Sequence, residues 1–441
     1  MMTDTGTSET LELVGGRPLS GSTTVPGDKS ISHRTLLIAA LSEGTSTIVG
    51  LSGGDDVVRT RRAIEALGAT VTDEGPGGPG SVTVIGGRSR VAAPEDTIDL
   101  GNSGTGMRLL AGVVAAIPGT TRLTGDPSLC SRPMDRVASP LSLMGAVVEG
   151  VGERCLPPLT VTGGSLVGID YTPPMASAQV KGAVLFAGLD ADGETVLREP
   201  VATRSHTEEM LAEAGADINV EPWAAGRVVR LRRSVLSPRD WVVPGDPSQA
   251  AFWAVASVIV PGSRITVEQI HFGAERIGFL HVLRRMGAAV QFDAGAGDVG
   301  SFEAVHSPLR GTTVEAAEIP SLDEVPILAV AAMVAEGPTR FRDVGELRVK
   351  ESDRLEGTVR LVEAFGGAAH IEGEDLIVTG GTTLTPGTVD AAGDHRMAMA
   401  AAVAASACTG PGTSIISGWE SVATSYPGFA ETLDRLTGGQ P

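Results

Sequence analysis

Cations, hydroxyls and small residues recur together in this sequence, each time at the head of an apolar segment. PGDKSISHR sets Lys29, Ser30 and Arg34 behind a Pro-Gly turn, and GNSGTGMR is a Gly-rich loop carrying Gly104 and Arg108, with Asn102 available to bond it. SRPMDR fixes Arg132 before a proline, MASAQVKGA spaces Ser177 and Gln179 two apart, and TRSHTE brings Arg204. Further on come Asp323 and Glu324 in SLDEVP, then Lys350, Glu351, Asp353 and Arg354 in LRVKESDR, and Arg396 in DHRMAMA. Arginine and lysine beside Gly-rich backbone suit small polyanions, because a guanidinium matches carboxylate and phosphate with two parallel hydrogen bonds. Carboxylates standing among such cations could move protons. Each motif also has a plainer reading. Helix capping accounts for Ser177 and for Asp323 or Glu324, a surface turn for Arg132, and a solvated helix face for the KESDR run. Arg396 resists that treatment, since the segment after it is so apolar that it must be buried, and a buried charge needs a partner.

The elements that would position these residues repeat. Six segments are apolar nearly all round and close on a glycine: Arg34–Gly44, Gly106–Gly119, Lys181–Gly188, Ala250–Gly262, Val325–Gly337 and Arg396–Gly410, at near-equal intervals along the chain. A helix without a polar face must be buried, and a glycine just past its end fits a left-handed cap. An amphipathic helix follows each, ending at Gly68, Gly145, Gly215, Gly287 and Gly366, with a weaker sixth copy in FAETLDRLTGG. Alternating runs such as SVTVIGG, RITVEQI and DLIVTGG supply strands. The motifs lie at the amino ends of the apolar helices. Helices running parallel would gather those ends on one face, where free N–H groups and partial positive charge attract anions. VPGDKS (Val25–Ser30) returns as VPGDPS (Val243–Ser248), three repeats later, and marks two crossings of the chain between domains. The expected division is 1–27 with 246–441 as one discontinuous domain and 28–245 as the other.

Bulk properties limit the function. At 441 residues the chain exceeds what one hydrophobic core supports. A net charge of −19 argues against nucleic acid, which needs a basic face, but leaves small anions open if the cations are gathered locally. No apolar run approaches a membrane span. The start, MMTDTGTSETLEL, carries no targeting pattern. Three scattered cysteines (Cys130, Cys155, Cys408) read as reduced thiols of a cytoplasmic protein. No metal-ligand spacing, GxxxxGK[ST] or GxSxG occurs, and His33 and His395 read as supports for neighbouring arginines.

Taken in order from Val25 to Pro427, PGDKSISHR, GNSGTGMRLL, SRPMDR, MASAQVKGA, TRSHTE, DE before PILAVAA, LRVKESDR and DHRMAM resemble the 5-enolpyruvylshikimate-3-phosphate synthase family. SAQVK and ATSYP are similar to its bacterial subgroup often termed class II. The resemblance implies an α/β fold of two inside-out α/β barrel domains, each of three βαβαββ units. It implies a monomer without metal or organic cofactor that joins phosphoenolpyruvate to the 5-hydroxyl of shikimate 3-phosphate. The reaction releases phosphate through a tetrahedral intermediate, on the shikimate pathway to chorismate and the aromatic amino acids. It further implies that Lys29, Ser30, Arg34, Ser177, Ala178, Gln179, Arg204, Asp323 and Lys350 bind shikimate 3-phosphate. Lys29, Gly104, Arg132, Gln179, Arg354 and Arg396 would bind phosphoenolpyruvate. Asp323, with Lys29, would be the base and Glu351 the acid, and the inhibitor glyphosate would compete for the phosphoenolpyruvate site. One departure stands out: Thr424 occupies the position where many members carry a lysine. Two alternatives remain at this stage. The sister transferase acting on UDP-N-acetylglucosamine places a reactive Cys five residues before Arg-Pro, where this chain has Pro127. A non-catalytic anion-binding protein on the same fold would bind but not turn over.

Overall fold

All six segments expected to be apolar all round are helical in the structure, a computed structural model that describes residues 9–73 and 80–438. They are α1 (Lys29–Leu41), α3 (Gly104–Ala115), α6 (Ala178–Gly188), α8 (Pro247–Ile259), α10 (Val325–Val334) and α12 (His395–Ser406). Five begin before their apolar run does, because a short polar side chain caps them. Asp28, Ser103, Ser177, Asp246 and Asp394 each accept a hydrogen bond from a backbone N–H in the first turn. Such a cap satisfies a donor that the helix leaves unpaired and stabilises it by about 1 kcal/mol. Polar residues such as Lys29, Ser30, Gln179 and His395 therefore belong to the first turns of the helices. α8 and α12 are buried at every residue.

The amphipathic set is α2 (Asp55–Ala66), α5 (Asp135–Leu143), α7 (His206–Glu213), α9 (Gly278–Arg285), α11 (Arg354–Ala364) and α13 (Phe429–Leu436), with a short α4 (Pro127–Cys130) before α5. Left-handed glycine caps belong to this set. After α2, Gly68 has φ +112°, its N–H reaches the Glu65 carbonyl and that of Ala69 reaches Ile64, the Schellman pattern. The same pair of bonds closes α5, α7, α9 and α11. The expectation of a glycine cap on the apolar helices needs correction. Gly188 is the last residue of α6 itself, and Gly44 and Gly119 open the strands that follow α1 and α3. After α1, α8 and α10 the cap residue is already extended, since the chain passes with little turn toward a strand.

The strands form six small mixed sheets, five of four strands and one of three. In one of them Asp170–Tyr171 lies parallel to Glu194–Glu199, which pairs antiparallel with Gly226–Arg232 and through it with Ile218–Trp223. Its chain order is strand, α6, strand, α7, strand, strand. Two sheets exchange their first strands. Ser20–Thr23 leads into α1 yet pairs with Arg264–His271, whereas Asp240–Val242 leads into α8 yet pairs with Gly44–Val49. The three-stranded sheet joins Thr388–Asp390 and Ser414–Ser417 to the early strand Thr10–Leu13. The chain thus divides into two units, one from Gly27 to Val243 and one made of the segments up to Pro26 and from Pro244. Each has its own hydrophobic core. The first residues, read above as free of a targeting pattern, fall partly on 1–8, which lie outside the described residues, whereas the helix of the weaker sixth copy closes on Gly438, left-handed at φ +79° with its N–H on the Arg435 carbonyl. No described helix is long and apolar enough to cross a membrane.

Close packing of α3 on α6 leaves no room for a side chain at Gly112, where a Cβ would stand 2.1 Å from the Ala183 carbonyl oxygen. Gly112→Ala is therefore expected to force two backbones apart, at a cost of about 1–3 kcal/mol. Thermal unfolding of the variant should show the loss as a lowered midpoint; an unchanged midpoint would contradict this packing.

Candidate functional site

In the Gly27–Val243 unit the amino ends of α1, α3 and α6 are tied to one another. His33 on α1 bonds Thr60 on α2 through Nδ1 at 2.8 Å, with Ser103, the α3 cap, 3.5 Å from Nε2. Arg108 on α3 donates to Gln179 Oε1 at 2.8 Å, and Gln179 returns its Nε2–H to Thr105 at 2.9 Å. Around this junction the cations are held one by one. Lys29 pairs with Asp56 at 2.9 Å. Arg34, buried, donates to Thr207 at 2.7 Å and to the Ser30 carbonyl at 2.9 Å. Arg204 Nη1 reaches Ser30 Oγ at 3.1 Å. Arg132 binds Asn102 Oδ1 at 2.5 Å and Ser128 at 3.1 Å, next to Gly104. A Cβ on Gly104 would stand 3.1 Å from Arg108 Nη1 and 3.2 Å from Arg132 Nη1. Lys29, Ser30, Arg34, Ser177, Gln179 and Arg204 thus lie at or beside the ends of α1 and α6, and Gly104 and Arg132 at the end of α3.

His33 contributes no charge here. Burial, together with the neighbouring Lys29 and Arg34, lowers its pKa to about 3, so its imidazole is neutral and serves as a hydrogen-bonding spacer.

In the other unit the ends of α8, α10 and α12 also meet. Ser248 on α8 donates to Glu324, the cap residue of α10, at 2.5 Å, and Arg396 on α12 lies 3.5 Å from Asp323. The centre is Arg354, 0% exposed, at the start of α11. Its guanidinium contacts Asp394 at 2.7 Å, Glu351 at 2.7 Å and Asp323 at 2.9 Å. Burial disfavours its charge, yet the three carboxylates outweigh burial and raise its pKa. Asp394 shows the converse: burial raises its pKa, the attraction of Arg354 lowers it, and the attraction prevails. Lys350 donates to the Ser321 carbonyl at 3.1 Å, and Thr424 bonds the His395 ring at 3.1 Å. Asp323, Lys350, Glu351, Arg354 and Arg396 are therefore gathered around the heads of α10, α11 and α12. Among the described residues no group of three or more His, Cys, Asp or Glu could hold a metal ion.

Each cluster can bind anions at helix amino ends, and one adds carboxylates able to carry protons. A family model described as EPSP synthase (3-phosphoshikimate 1-carboxyvinyltransferase) matches residues 13–433. The chain belongs to the EPSP synthase family. It is 46% identical over 425 residues to the 3-phosphoshikimate 1-carboxyvinyltransferase of Acidiphilium cryptum, covering 93% of each chain. To that of Acaryochloris marina it is 44% identical over 439 residues, covering 98% of this chain and 97% of the relative. EPSP synthase from Acinetobacter baumannii superposes with a TM-score of 0.84 at 37% identity, covering 98% of both chains. The enolpyruvyl transferase NikO from Streptomyces tendae, at 21% identity, shares the fold with a TM-score of 0.79 over 98% of both.

Some partners of these side chains were not singled out in the sequence. Asp56 lies in the acidic first turn of an ordinary-looking amphipathic helix, and only its burial distinguishes it. Asp394 caps α12 and also neutralises Arg354. That second role has a pH signature. A carboxylate with a depressed folded pKa stabilises fully above its unfolded value and loses this as pH falls through the folded value. Removing one charge of a buried pair costs about 3–5 kcal/mol. The stability gap between wild type and Asp394→Asn in urea unfolding should accordingly be widest near neutral pH. It should narrow once pH drops below the ordinary carboxylate range, and a gap independent of pH would show that Asp394 is not ionised in the fold.

Proposed function

We propose that the two clusters carry the 3-phosphoshikimate 1-carboxyvinyltransferase reaction of the family, with phosphoenolpyruvate and shikimate 3-phosphate as substrates. The observation that supports this best is the gathering of Lys29, Ser30, Arg34 and Arg204 at one helix head in a chain of net charge −19. Within the Gly27–Val243 unit, Ser30, Arg34, Ser177, Ala178, Gln179 and Arg204 hold shikimate 3-phosphate. There Lys29, Gly104, Arg132 and Gln179 receive the phosphate end of phosphoenolpyruvate. Within the other unit, Asp323 and Lys350 hold the shikimate hydroxyls, while Arg354 and Arg396 take the phosphoenolpyruvate carboxylate. The three carboxylates now on Arg354 mean that a substrate carboxylate replaces an existing anion, so binding frees Glu351 or Asp323 from the guanidinium.

The chemistry follows. A proton from Glu351 goes to the methylene carbon of phosphoenolpyruvate while the 5-oxygen attacks its second carbon and gives its proton to Asp323. The tetrahedral adduct then loses phosphate as the new methyl group returns a proton to Glu351 and Asp323 gives its proton to the departing phosphate. Nothing in this sequence of steps calls for a metal or an organic cofactor. Two inside-out α/β barrels, membership of the class II subgroup and a cytoplasmic monomer complete the reading. The subgroup rests on SAQVK and ATSYP, the cytoplasmic placing on the scattered cysteines, and the monomer on the family resemblance.

Phosphate release that requires both substrates tests the activity. Glu351→Gln keeps the shape and removes the transferable proton, so turnover should fall by about two orders of magnitude with shikimate 3-phosphate affinity retained. Turnover equal to wild type would remove Glu351 from the mechanism. Gly104→Ala tests the phosphoenolpyruvate end. The added methyl presses on the tips of Arg108 and Arg132. Glyphosate, slightly longer than phosphoenolpyruvate, should lose affinity by a larger factor than the substrate does. Equal loss of both, read as inhibition of phosphate release at several substrate concentrations, would show that Gly104 does not set the fit.

A further inference from the structure

Beneath the cations of the Gly27–Val243 unit lies a second charged group that the mechanism does not use. Lys181 on α6 donates to Glu199 at 2.9 Å and to Glu208 on α7 at 2.8 Å. Arg227, on strand Gly226–Arg232, reaches Glu208 at 3.2 Å and Glu199 at 3.7 Å. The side chains of Lys181, Glu199 and Glu208 are 0%, 2% and 1% exposed. Two cations and two carboxylates balance, but taking four charges out of water is costly, and well-packed apolar residues of similar volume commonly serve stability as well or better. Stability alone therefore does not account for the quartet.

Its connections do. Thr203 donates its hydroxyl to Glu199, and Arg227 Nη2 holds the Thr203 carbonyl at 3.0 Å. The next residue is Arg204, whose guanidinium reaches Ser30. Thr207, beside Glu208, accepts from Arg34 Nε. Lys181 stands two residues past Gln179, in the turn that Ser177 caps. The quartet thus bonds Thr203, the residue before Arg204, and its members adjoin in sequence Thr207, which Arg34 bonds, and Val180, which follows Gln179. We propose that Lys181, Glu199, Glu208 and Arg227 form a positioning element for shikimate 3-phosphate, fixing the 200–205 loop so that Arg204 meets Ser30 at the head of α1. The inference rests on the assignment of Arg204 to that substrate. A guanidinium on a free loop would lose rotamer and backbone entropy on each binding event, and a loop anchored in advance has already lost it.

Two variants probe the anchor without touching the substrate residues. Thr203→Val removes one link from quartet to loop and leaves the ion pairs intact. Lys181→Met with Glu199→Gln removes one charge of each sign and keeps the Glu208–Arg227 pair. In each, the KM for shikimate 3-phosphate should rise about tenfold, with kcat and the KM for phosphoenolpyruvate within about twofold of wild type. In an Arg204→Ala background, Thr203→Val should add less than about twofold, because the group it positions is gone. Arg204→Ala alone checks the underlying assignment: an unchanged KM for shikimate 3-phosphate there would remove the assignment itself. A large effect of Arg204→Ala with no effect of Thr203→Val overturns the positioning role, as does full additivity of the two. If the paired variant does not fold, the Thr203→Val result decides.

Discussion

A helix without a polar face can be buried only if its charges are confined to its ends. α8 and α12 are buried at every residue, and the other four inner helices nearly so beyond their first turns. Each still has unpaired N–H groups at its amino end. Where three such ends meet, in each unit, the fold brings together partial positive charge and whatever polar side chains the first turns carry. Asp and Ser caps accept from some of these donors, and the N–H groups left over, with arginines and lysines beside them, can meet an anion. The anion-binding chemistry is thus a consequence of how the cores are built.

Concentrating cations there has its own requirement, and the structure meets it with local carboxylates. Lys29 has Asp56, Lys181 has two glutamates, and Arg354 has three carboxylates around a guanidinium with no exposure to water. The surrounding negative charge keeps Arg354 firmly protonated despite burial. The overall charge of −19 is then no obstacle to binding polyanions, since the relevant field is set within a few ångströms. His33 shows the limit of the pattern: buried first of all, with two cations adjacent and no carboxylate bonded to it, it is held neutral.

Much of this was legible in the sequence, for a physical reason. Apolar helices closed on glycine at regular intervals are a strong signal because burial on all sides leaves few residue choices. The Schellman glycines of the amphipathic helices were equally plain, each followed by Ala or Gly. The errors concern boundaries. Lys29–His33 read as a polar prelude to a helix starting at Arg34, whereas the Asp28 cap draws them into its first turns. Gly188 read as a cap and is helical, with Thr195 and Leu231 packed where its side chain would be. The missed partners, Asp56 and the Lys181 quartet, come from elements distant in sequence. Nothing local distinguishes Glu199, at the end of a strand, from a surface glutamate. Only the fold brings it to Lys181.

The central claim is that shikimate 3-phosphate is bound where the heads of α1 and α6 meet. A crystal structure of the chain soaked with that ligand would test it most directly. The account predicts the ligand phosphate within hydrogen-bonding distance of Ser177 and Arg204, with its ring beside Lys29 and Gln179. A phosphate bound at full occupancy away from all four of these residues would contradict it.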